Sequence, residues 1–457
     1  MIVCKFGGTS VQDAEAITRL AQIIKARRNQ KPVVVASAMG KTTNGLLAAA
    51  HTAAQGDRQG ALQEIAQLEQ KHLSEAWKLG IAVHSDWVYD TIQVYFKKLR
   101  DLVKGLSALG ELTPRITDAV ASYGERLSTA ILTQALENEG LPAQLMDARE
   151  CIITDENFTR AAPIFDLTNA AIVRHLKPAL DAGKIPVFQG FIGCSQNGVT
   201  TTIGRGGSDY TAAIVGAALD AEDIQIWTDV DGVLTTDPRM VKDARRIRVI
   251  SFEEAAELAY FGAKVLHPAT IIPAVRKNIP VHVLNSYRPE QEGTLITGEA
   301  PPCENPIKAI SFKSGITVIN VISTRMLNAY GFLKRIFETF DSHKVPVDVV
   351  STSEVSVSLT VEETTPLTEI VEELKKIGEV TVDNGKAIVC CVGYNLREAT
   401  DALHTALGAL RDIRIQMISQ GASAINVTFV IDSDRLTDAV RGLHDVFFRK
   451  IDSRVFE

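Results

Sequence analysis

Short apolar runs recur along the first part of the chain, each ending in a cluster of small residues and followed by a stretch of helical period. Residues 2–6 form the first run, broken by Gly7-Gly8-Thr9-Ser10 and followed by helix-like residues 11–28. Pro32 introduces Val33-Val34-Val35-Ala36-Ser37, a β-branched run that ends in Ala38-Met39-Gly40. Pro186-Val187-Phe188, Ile224-Gln225-Ile226-Trp227 and Pro280-Val281-His282-Val283-Leu284 repeat the style. Strands that are apolar nearly throughout are covered on both faces, so the pattern predicts an α/β fold with a mostly parallel sheet sandwiched by helices. Residues 56–110 are charged and helical in period and read as a helical insertion on that core.

The pattern changes after residues 298–306, GEAPPCENP, where three prolines and little packable surface mark a linker. This sets a first domain at 1–297 and a second region at 307–457. In the second region 316–322, 347–351, 355–361 and 379–383 read as strands, with helices at 331–343 and 367–377. The order then starts again: strand 387–392, helix 398–410, strands 414–419 and 425–431, helix 435–446. Two βαββαβ units follow, the first at about 316–385 and the second at about 386–457 completed by 307–315. Neither unit carries a constellation of reactive side chains, so both suit small-ligand sensing and pairing more than chemistry.

Composition narrows the function classes. The 457 residues are 46% hydrophobic and 23% charged, which fits a globular chain of several domains and excludes a disordered or fibrous one. A net charge of −7, from 48 basic and 55 acidic side chains, lacks the basic footprint of a nucleic-acid binder. No run approaches the roughly 18 apolar residues of a membrane helix. The opening MIVCKFGG is too short before its glycines to act as a signal peptide. Cysteines at 4, 151, 194, 303, 390 and 391 make no Cys-x-x-Cys pair, so neither a disulfide framework nor a protein-held metal site is expected, and a reduced, cytoplasmic setting fits.

Four segments carry candidate chemistry. In KFGGTS (5–10) a strand delivers Lys5, and Gly7 and Gly8 let backbone N–H groups approach an anion at a helix start. Gly40-Lys41-Thr42 is not a P-loop, because the first glycine of that motif would fall at Val35. In GRGGSD (204–209) three glycines surround Arg205, whose guanidinium forks a carboxylate, while Ser208 or Asp209 is expected to cap the next helix. Asp209 reads either as that cap or as a functional acid. Residues 227–239 place Thr228 and Asp229 at a strand end, where nucleotides bind on parallel sheets, although Asp-Gly and Asp-Pro are also ordinary turn formers. FGAKVLHP (261–268) offers Lys264 after a glycine, with His267 read as a helix-end hydrogen bonder.

Taken together and in order, KFGGTS, SYGE (122–125), GRGGSD, TDVDGV with TTDPR (228–239) and FGAKVLHP resemble the aspartate kinases of the amino-acid kinase superfamily. The tail resembles their paired ACT regulatory domains. The resemblance implies ATP-dependent phosphorylation of the L-aspartate β-carboxylate, giving 4-phospho-L-aspartate and ADP, the first step toward lysine, threonine and methionine. It implies Lys5, Asp209 and Lys264 as catalytic residues, with Gly7 and Gly8 around the phosphates. Thr228, Asp229, Arg239 and Lys264 line the nucleotide site. Ser37, Thr43 and Ser208 help hold the substrate, Glu125 pairs with its ammonium, and Arg205 grips its α-carboxylate. Mg2+ is implied to bind mainly through phosphates and waters, with Asp209 nearby. Leu234 stands where many relatives are expected to carry a tyrosine. No G-x-G-x-x-G-led domain follows the second ACT-like unit, so the fused homoserine dehydrogenase forms are not resembled.

The residues agree with that reaction. A carboxylate with a pKa near 4 is already ionised at pH 7 and needs no general base. The obstacle is anion attacking anion, which calls for cations around the transferring group. A sister kinase acting on glutamate or acetylglutamate would share the lysines and glycines without needing SYGE or two ACT-like units. A pure amino-acid sensor on an inactive core is the second alternative, opposed by intact Lys5, Arg205, Asp209 and Lys264. A nicotinamide dehydrogenase lacks its G-x-G-x-x-G after the first strand.

The ACT-like region suggests L-lysine as effector. Met326, Tyr330, Gly331, Phe332 and Leu333 lie in or next to a glycine-broken helix start, where free N–H groups take a ligand carboxylate. Asp348 and Glu354 suit a cationic ligand, Phe332 and Val347 its methylenes, and Ser353 lies between. Asp348 and Glu354 read equally as solvated strand ends on local grounds. Both segments resemble the lysine-sensitive branch, which also implies a homodimer or higher oligomer.

Overall fold

Strands that are hydrophobic on both faces need cover on both, and the structure supplies it with helices. The computed structural model describes residues 1–81, 87–262, 268–326, 330–362 and 367–457. Along the chain the strands are β1 (Ile2–Phe6), β2 (Pro32–Ala36), β3 (Ala143–Met146), β4 (Ile153–Thr154), β5 (Ile185–Gln189), β6 (Ile192–Ser195), β7 (Thr200–Thr202) and β8 (Asp223–Thr228). They continue as β9 (Val249–Ser251), β10 (Val281–Asn285), β11 (Thr294–Thr297), β12 (Ile307–Ile322), β13 (Val350–Thr352), β14 (Ser356–Glu362), β15 (Glu379–Gly393), β16 (Ile415–Gln420) and β17 (Asn426–Asp432). The chain divides into two units, Met1–Val233 with Val265–Glu299 and Leu234–Lys264 with Ala300–Glu457.

In the first unit the central strands lie in the order β3-β5-β2-β1-β8-β10-β11. The pairings from β3 to β10 are parallel, and β11 runs antiparallel to β10. β1 sits in the middle and is buried along its whole length. β4, β6 and β7 form a separate three-stranded ribbon. The expected helix at 11–28 is shorter: Gly8–Val11 makes a 3-10 turn, and the α-helix Ala14–Ala26 starts at Asp13, whose carboxylate accepts from Ala16 N at 2.8 Å. Its stripe Ile17, Leu20, Ala21 and Ile24 is fully buried, each large side chain stabilising the unit by about 1.5–3 kcal/mol. The predicted insertion is two long helices, Arg58–Lys78 and Trp87–Leu109. Among the described residues no helix is long and apolar enough to cross a membrane.

The second unit holds one six-stranded sheet, β13-β14-β12-β15-β17-β16, with every pairing antiparallel. Here the structure differs from the sequence reading, which broke the chain between 307–315 and 316–322 and between 379–383 and 387–392. β12 and β15 instead run unbroken: residues 307–314 pair with 387–393, Ile316 with Lys386, and 318–322 with 379–383. The joint is made by Gly315 and Gly385, at φ 71° and 69°, where the register shifts. Glycine takes this left-handed conformation without a Cβ penalty, so a strand bends there without ending. The two repeats therefore share one sheet.

Leu234–Lys264, which falls inside 1–297, groups with this second unit. Its helix Phe252–Tyr260 opens with a capping box between Ser251 and Glu254. Glu254 also forms a fully buried ion pair with Lys308 of β12, at 2.9 Å and with side chains 2% and 1% exposed. Asn426 Nδ2 donates to Glu257 at 2.7 Å. At Gly262 a side chain would meet the Phe312 carbonyl oxygen at 2.1 Å, so only glycine lets the chain pass that close.

Candidate active site

The carboxyl ends of β5, β2, β1 and β8 are stitched to one another by the residues that leave them. Gly7 N donates to Trp227 O at 3.1 Å, Ser37 N to Phe6 O at 3.1 Å, and Gly190 N to Ala36 O at 2.9 Å. The loops after four parallel strands are thus fixed at one edge of the sheet, the position where such sheets bind ligands. The loops after β1 and β2 touch, Gly40 N donating to Gly8 O at 3.0 Å. A Cβ on Gly8 would lie 3.2 Å from Gly40 O and 3.3 Å from Ala38 O, which explains the glycine there.

Lys5 rides on β1 to this edge, where its ammonium meets Asp209 Oδ1 at 2.6 Å with side chains only 10% and 16% exposed. Asp209 comes from the first turn of helix Gly207–Ala218, whose cap is Gly206 in left-handed conformation with no side-chain cap bond. This corrects the expectation that Ser208 or Asp209 caps the helix: both have other partners. Asp209 pairs with Lys5, and Ser208 Oγ accepts from Ser37 Oγ at 2.9 Å. The helix comes this close because Gly190 has no Cβ, which would lie 2.6 Å from Ser208 Cβ.

A cavity of about 280 Å³ opens here, lined by Lys5, Ser37, Thr43, Glu125, Arg205, Ser208 and Asp209, together with Phe191 and the glycines of the 204–207 loop. Glu125, in the first turn of helix Tyr123–Asn138, is 4% exposed. Its Oε1 accepts from Ala38 N at 3.3 Å, while Oε2 has no hydrogen-bond partner. Burial pushes its carboxyl up to about 8, so it is neutral at pH 7 until a cation arrives. Arg205 is exposed and has no ion pair among the described residues. The arrangement offers a fork for a carboxylate, a buried acid for an ammonium, and a lysine for a second anion. Phe191 was missed by the sequence reading: an aromatic beside a strand reads as core, and nothing local signals its φ of 69°.

Among the described residues of the first unit, Gly7, Gly8, Thr228 and Asp229 are not part of the cavity lining. Gly7 stays next to Lys5, since a Cβ there would sit 3.6 Å from the ammonium. Thr228 Oγ1 donates to the exposed Asp229 at 3.1 Å at the end of β8. Arg239, in the second unit, is exposed and forks Asp237 at 3.0 and 2.5 Å. Lys264 and His267 lie outside the described residues.

In the second unit, Gly331 at φ 77° leads into helix Phe332–Ser342 without a side-chain cap. Phe332 is not available to cover a ligand: it is 3% exposed and packs in a core with Ile336, Phe340 and Leu359, because it starts the apolar stripe of its helix. Tyr330 and Leu333 are exposed, Met326 and Val347 half-buried. Asp348 pairs with Lys313 at 3.0 Å and accepts from Tyr260 Oη at 3.2 Å, rather than ending a strand in solvent. Lys313 also reaches Glu362 at 2.9 Å. Ser353 bonds Ser356 at 2.7 Å, and Glu354 is exposed.

Known proteins share this architecture. The Amino acid kinase family matches residues 1–285, and the ACT domain matches 319–365 and 389–447. The chain is 37% identical over 463 residues to lysine-sensitive aspartokinase 3 of Escherichia coli (strain K12), spanning 98% of this chain and 99% of that one. Among solved structures it is similar to E. coli aspartokinase III in complex with aspartate and ADP (R-state), with a TM-score of 0.84 and 36% identity over 98% of this chain and 100% of that one. It is also similar to E. coli aspartokinase III in complex with lysine and aspartate (T-state), with a TM-score of 0.81 and 35% identity over 98% and 99% of the two chains.

The buried Glu125 carboxyl makes a stability prediction. Its folded pKa of about 8 lies above the ordinary value of 4.5, so the folded state holds an extra proton between those limits. Stability should therefore fall as pH rises from about 5 to about 8. Melting temperature measured against pH should show this fall in the parent and lose that part of it in Glu125→Gln. Parallel curves for the two proteins would contradict the burial argument.

Proposed function

We propose that this chain, which belongs to the amino acid kinase family and within it to the aspartokinases, transfers the γ-phosphoryl group of ATP to the β-carboxylate of L-aspartate. The products are 4-phospho-L-aspartate and ADP. One observation carries the reading: Lys5, Glu125 and Arg205 converge on a single cavity. The likeness to an enzyme in complex with aspartate and ADP supports it.

In this reading Arg205 takes the α-carboxylate through its planar fork. Glu125 ionises as the substrate ammonium docks, and the hydroxyls of Ser37, Thr43 and Ser208 fix the remainder. The β-carboxylate is then held toward Lys5. It is already an anion, so no base is required. What the protein contributes is cationic charge and N–H donors where negative charges meet, from Lys5, Lys264 and the amides around Gly7 and Gly8. Asp209 holds the Lys5 ammonium in place. Thr228, Asp229, Arg239 and Lys264 serve the nucleotide. If ATP binds as its magnesium complex, Asp209 is the carboxylate that would help hold the metal, which would supply cationic charge at the phosphates.

Trapping acyl phosphate with hydroxylamine tests the substrate. With ATP and equal concentrations of L-aspartate, L-glutamate and N-acetylglutamate, hydroxamate should form with L-aspartate; preference for either of the others would overturn the assignment.

Lys5→Ala should lower kcat about 10²-fold or more while changing the aspartate KM far less, as expected for a contact made to charge that moves in the transition state. A kcat within a few-fold of the parent, in steady-state assays, would remove Lys5 from the catalytic set.

The second unit serves regulation in the same reading, with L-lysine as feedback inhibitor. Its side-chain ammonium would compete with Lys313 for Asp348, and its α-carboxylate would use the N–H groups after Gly331. Met326, Tyr330, Leu333, Val347, Ser353 and Glu354 surround that place in sequence. Inhibition requires lysine to bind an inactive state better than an active one. We read the protein as a homodimer or higher oligomer. We read its setting as cytoplasmic. Initial rates against added lysine, threonine and methionine should fall with lysine, and Asp348→Ala should lose most of that response. Inhibition by threonine alone would refute the effector, and an unchanged lysine response in the variant would refute the site.

A further inference from the structure

Arg205 sits between two glycines in left-handed conformation, Gly204 at φ 82° and Gly206 at φ 72°. Such a turn has little stiffness of its own, so a guanidinium carried on it must be aimed by its surroundings. On one side the turn runs into helix Gly207–Ala218. On the other it follows β7, and there the structure provides an unusual anchor.

Asp118, in helix Pro114–Ala121, is 1% exposed. Its Oδ2 accepts from the backbone N–H groups of Thr159 and Thr202, both at 2.9 Å, and its Oδ1 accepts from Thr202 Oγ1 at 2.6 Å. No cation pairs with it among the described residues. A buried carboxylate with no counter-charge is costly, and here its acceptor capacity is given to two loop amides and a hydroxyl. Thr202 ends β7, just before Ile203 and Gly204. Thr159 is the second unusual feature: it is β-branched yet stands at φ 70°, a conformation such residues keep only when held in it. Its carbonyl oxygen lies 3.4 Å from where a Cβ on Gly204 would stand. Ala161 N donates to Thr202 O at 2.9 Å and ties the same two segments together. One carboxylate thus fixes the segment entering the Arg205 turn and the strained segment packed against it.

We propose that Asp118 is a positioning residue for substrate capture, holding Thr159 and Thr202 so that the Gly204–Gly206 turn presents Arg205 to the cavity. This rests on the reading above, in which Arg205 grips the α-carboxylate of L-aspartate. Asp118 touches no substrate; it acts through the main chain of the turn.

The test is steady-state kinetics on the full chain with both substrates varied. Asp118→Ala leaves buried N–H groups without an acceptor, so the aspartate KM should rise about tenfold with the ATP KM within about twofold of the parent. Asp118→Asn keeps an acceptor oxygen for the amides and should raise the aspartate KM only about threefold; it provides the same readout if the alanine variant does not fold. Glycine at 159 adopts the left-handed conformation without strain. Adding Thr159→Gly to either variant should therefore recover at least about half of the lost aspartate affinity, a rescue that a merely structural role would not produce. Parental aspartate KM in both Asp118 variants, a parallel rise of the two KM values, or no recovery with Thr159→Gly would overturn the proposal. Arg205→Lys, assayed alongside, separates the two readings. If it raises the aspartate KM while the Asp118 variants do not, only the positioning role falls; if the parent does not turn over L-aspartate at all, the substrate reading falls instead.

Discussion

An ammonium and a carboxylate held 2.6 Å apart at low exposure, Lys5 against Asp209, set the geometry on which the rest of the first unit depends. A lysine at the end of a buried central strand needs a partner, because a buried polar group left unpaired is costly. A partner must be brought to it, and that partner arrives on the first turn of helix Gly207–Ala218. The helix reaches β1 only because Gly190 and Gly207 lack side chains at the crossing, where Cβ atoms would come within 2.6 and 2.8 Å of Ser208 and Phe191. With the helix seated, Ser208 falls beside Ser37, and the Gly204–Gly206 turn closes one side of the cavity. In the proposed reading, the side chain that brings two anions together is thus oriented before any substrate binds, as preorganised electrostatic stabilisation requires.

Against this cation the site sets a deliberately unsatisfied acid. Glu125 has one oxygen on Ala38 N and the other on nothing, in a place where burial keeps it protonated. A group in that condition gains from the arrival of a cation far more than a solvated carboxylate would, since ion pairing strengthens as the local dielectric falls. The exposed Arg205 is the opposite case, a permanent charge that waits in solvent and loses little by waiting. In the proposed reading, selectivity for a small amino acid would follow from the two acting on one molecule, with Lys5 near the anion that the side chain carries.

The strands of the first unit were legible because burial on both faces leaves near-continuous apolar runs, and the polar residues just past those runs fell where a parallel sheet gathers its loops. Lys5 and Arg205 could be picked out on that basis, Asp209 only as either a helix cap or a functional acid, and Ser37 and Glu125 only through the family resemblance. Other features left no such trace. Asp118 was invisible because two of its three partners are main-chain N–H groups, whose positions no side-chain spacing reveals, and the third is the hydroxyl of Thr202, 84 residues away in sequence. The Gly206 cap was misplaced onto Ser208 and Asp209 because the usual capping side chains happened to stand next to it. Gly315 and Gly385 stand where the two units were divided in sequence, yet at φ near 70° they act as bends, and two repeats read as separate units merge into one sheet. Phe332 read as ligand cover, but the same apolar stripe that makes its helix amphipathic draws it into the core.

The central claim is that a carboxylate oxygen of the amino acid itself attacks phosphorus. L-aspartate labelled with ¹⁸O in its β-carboxylate, incubated with ATP and trapped with hydroxylamine, tests this directly, because hydroxylamine attacks the acyl carbon and releases phosphate together with the bridging oxygen. The account predicts one ¹⁸O per phosphate in the trapped product, read by the isotope shift in the ³¹P NMR spectrum. Unlabelled phosphate, formed at the same rate as hydroxamate, would contradict it.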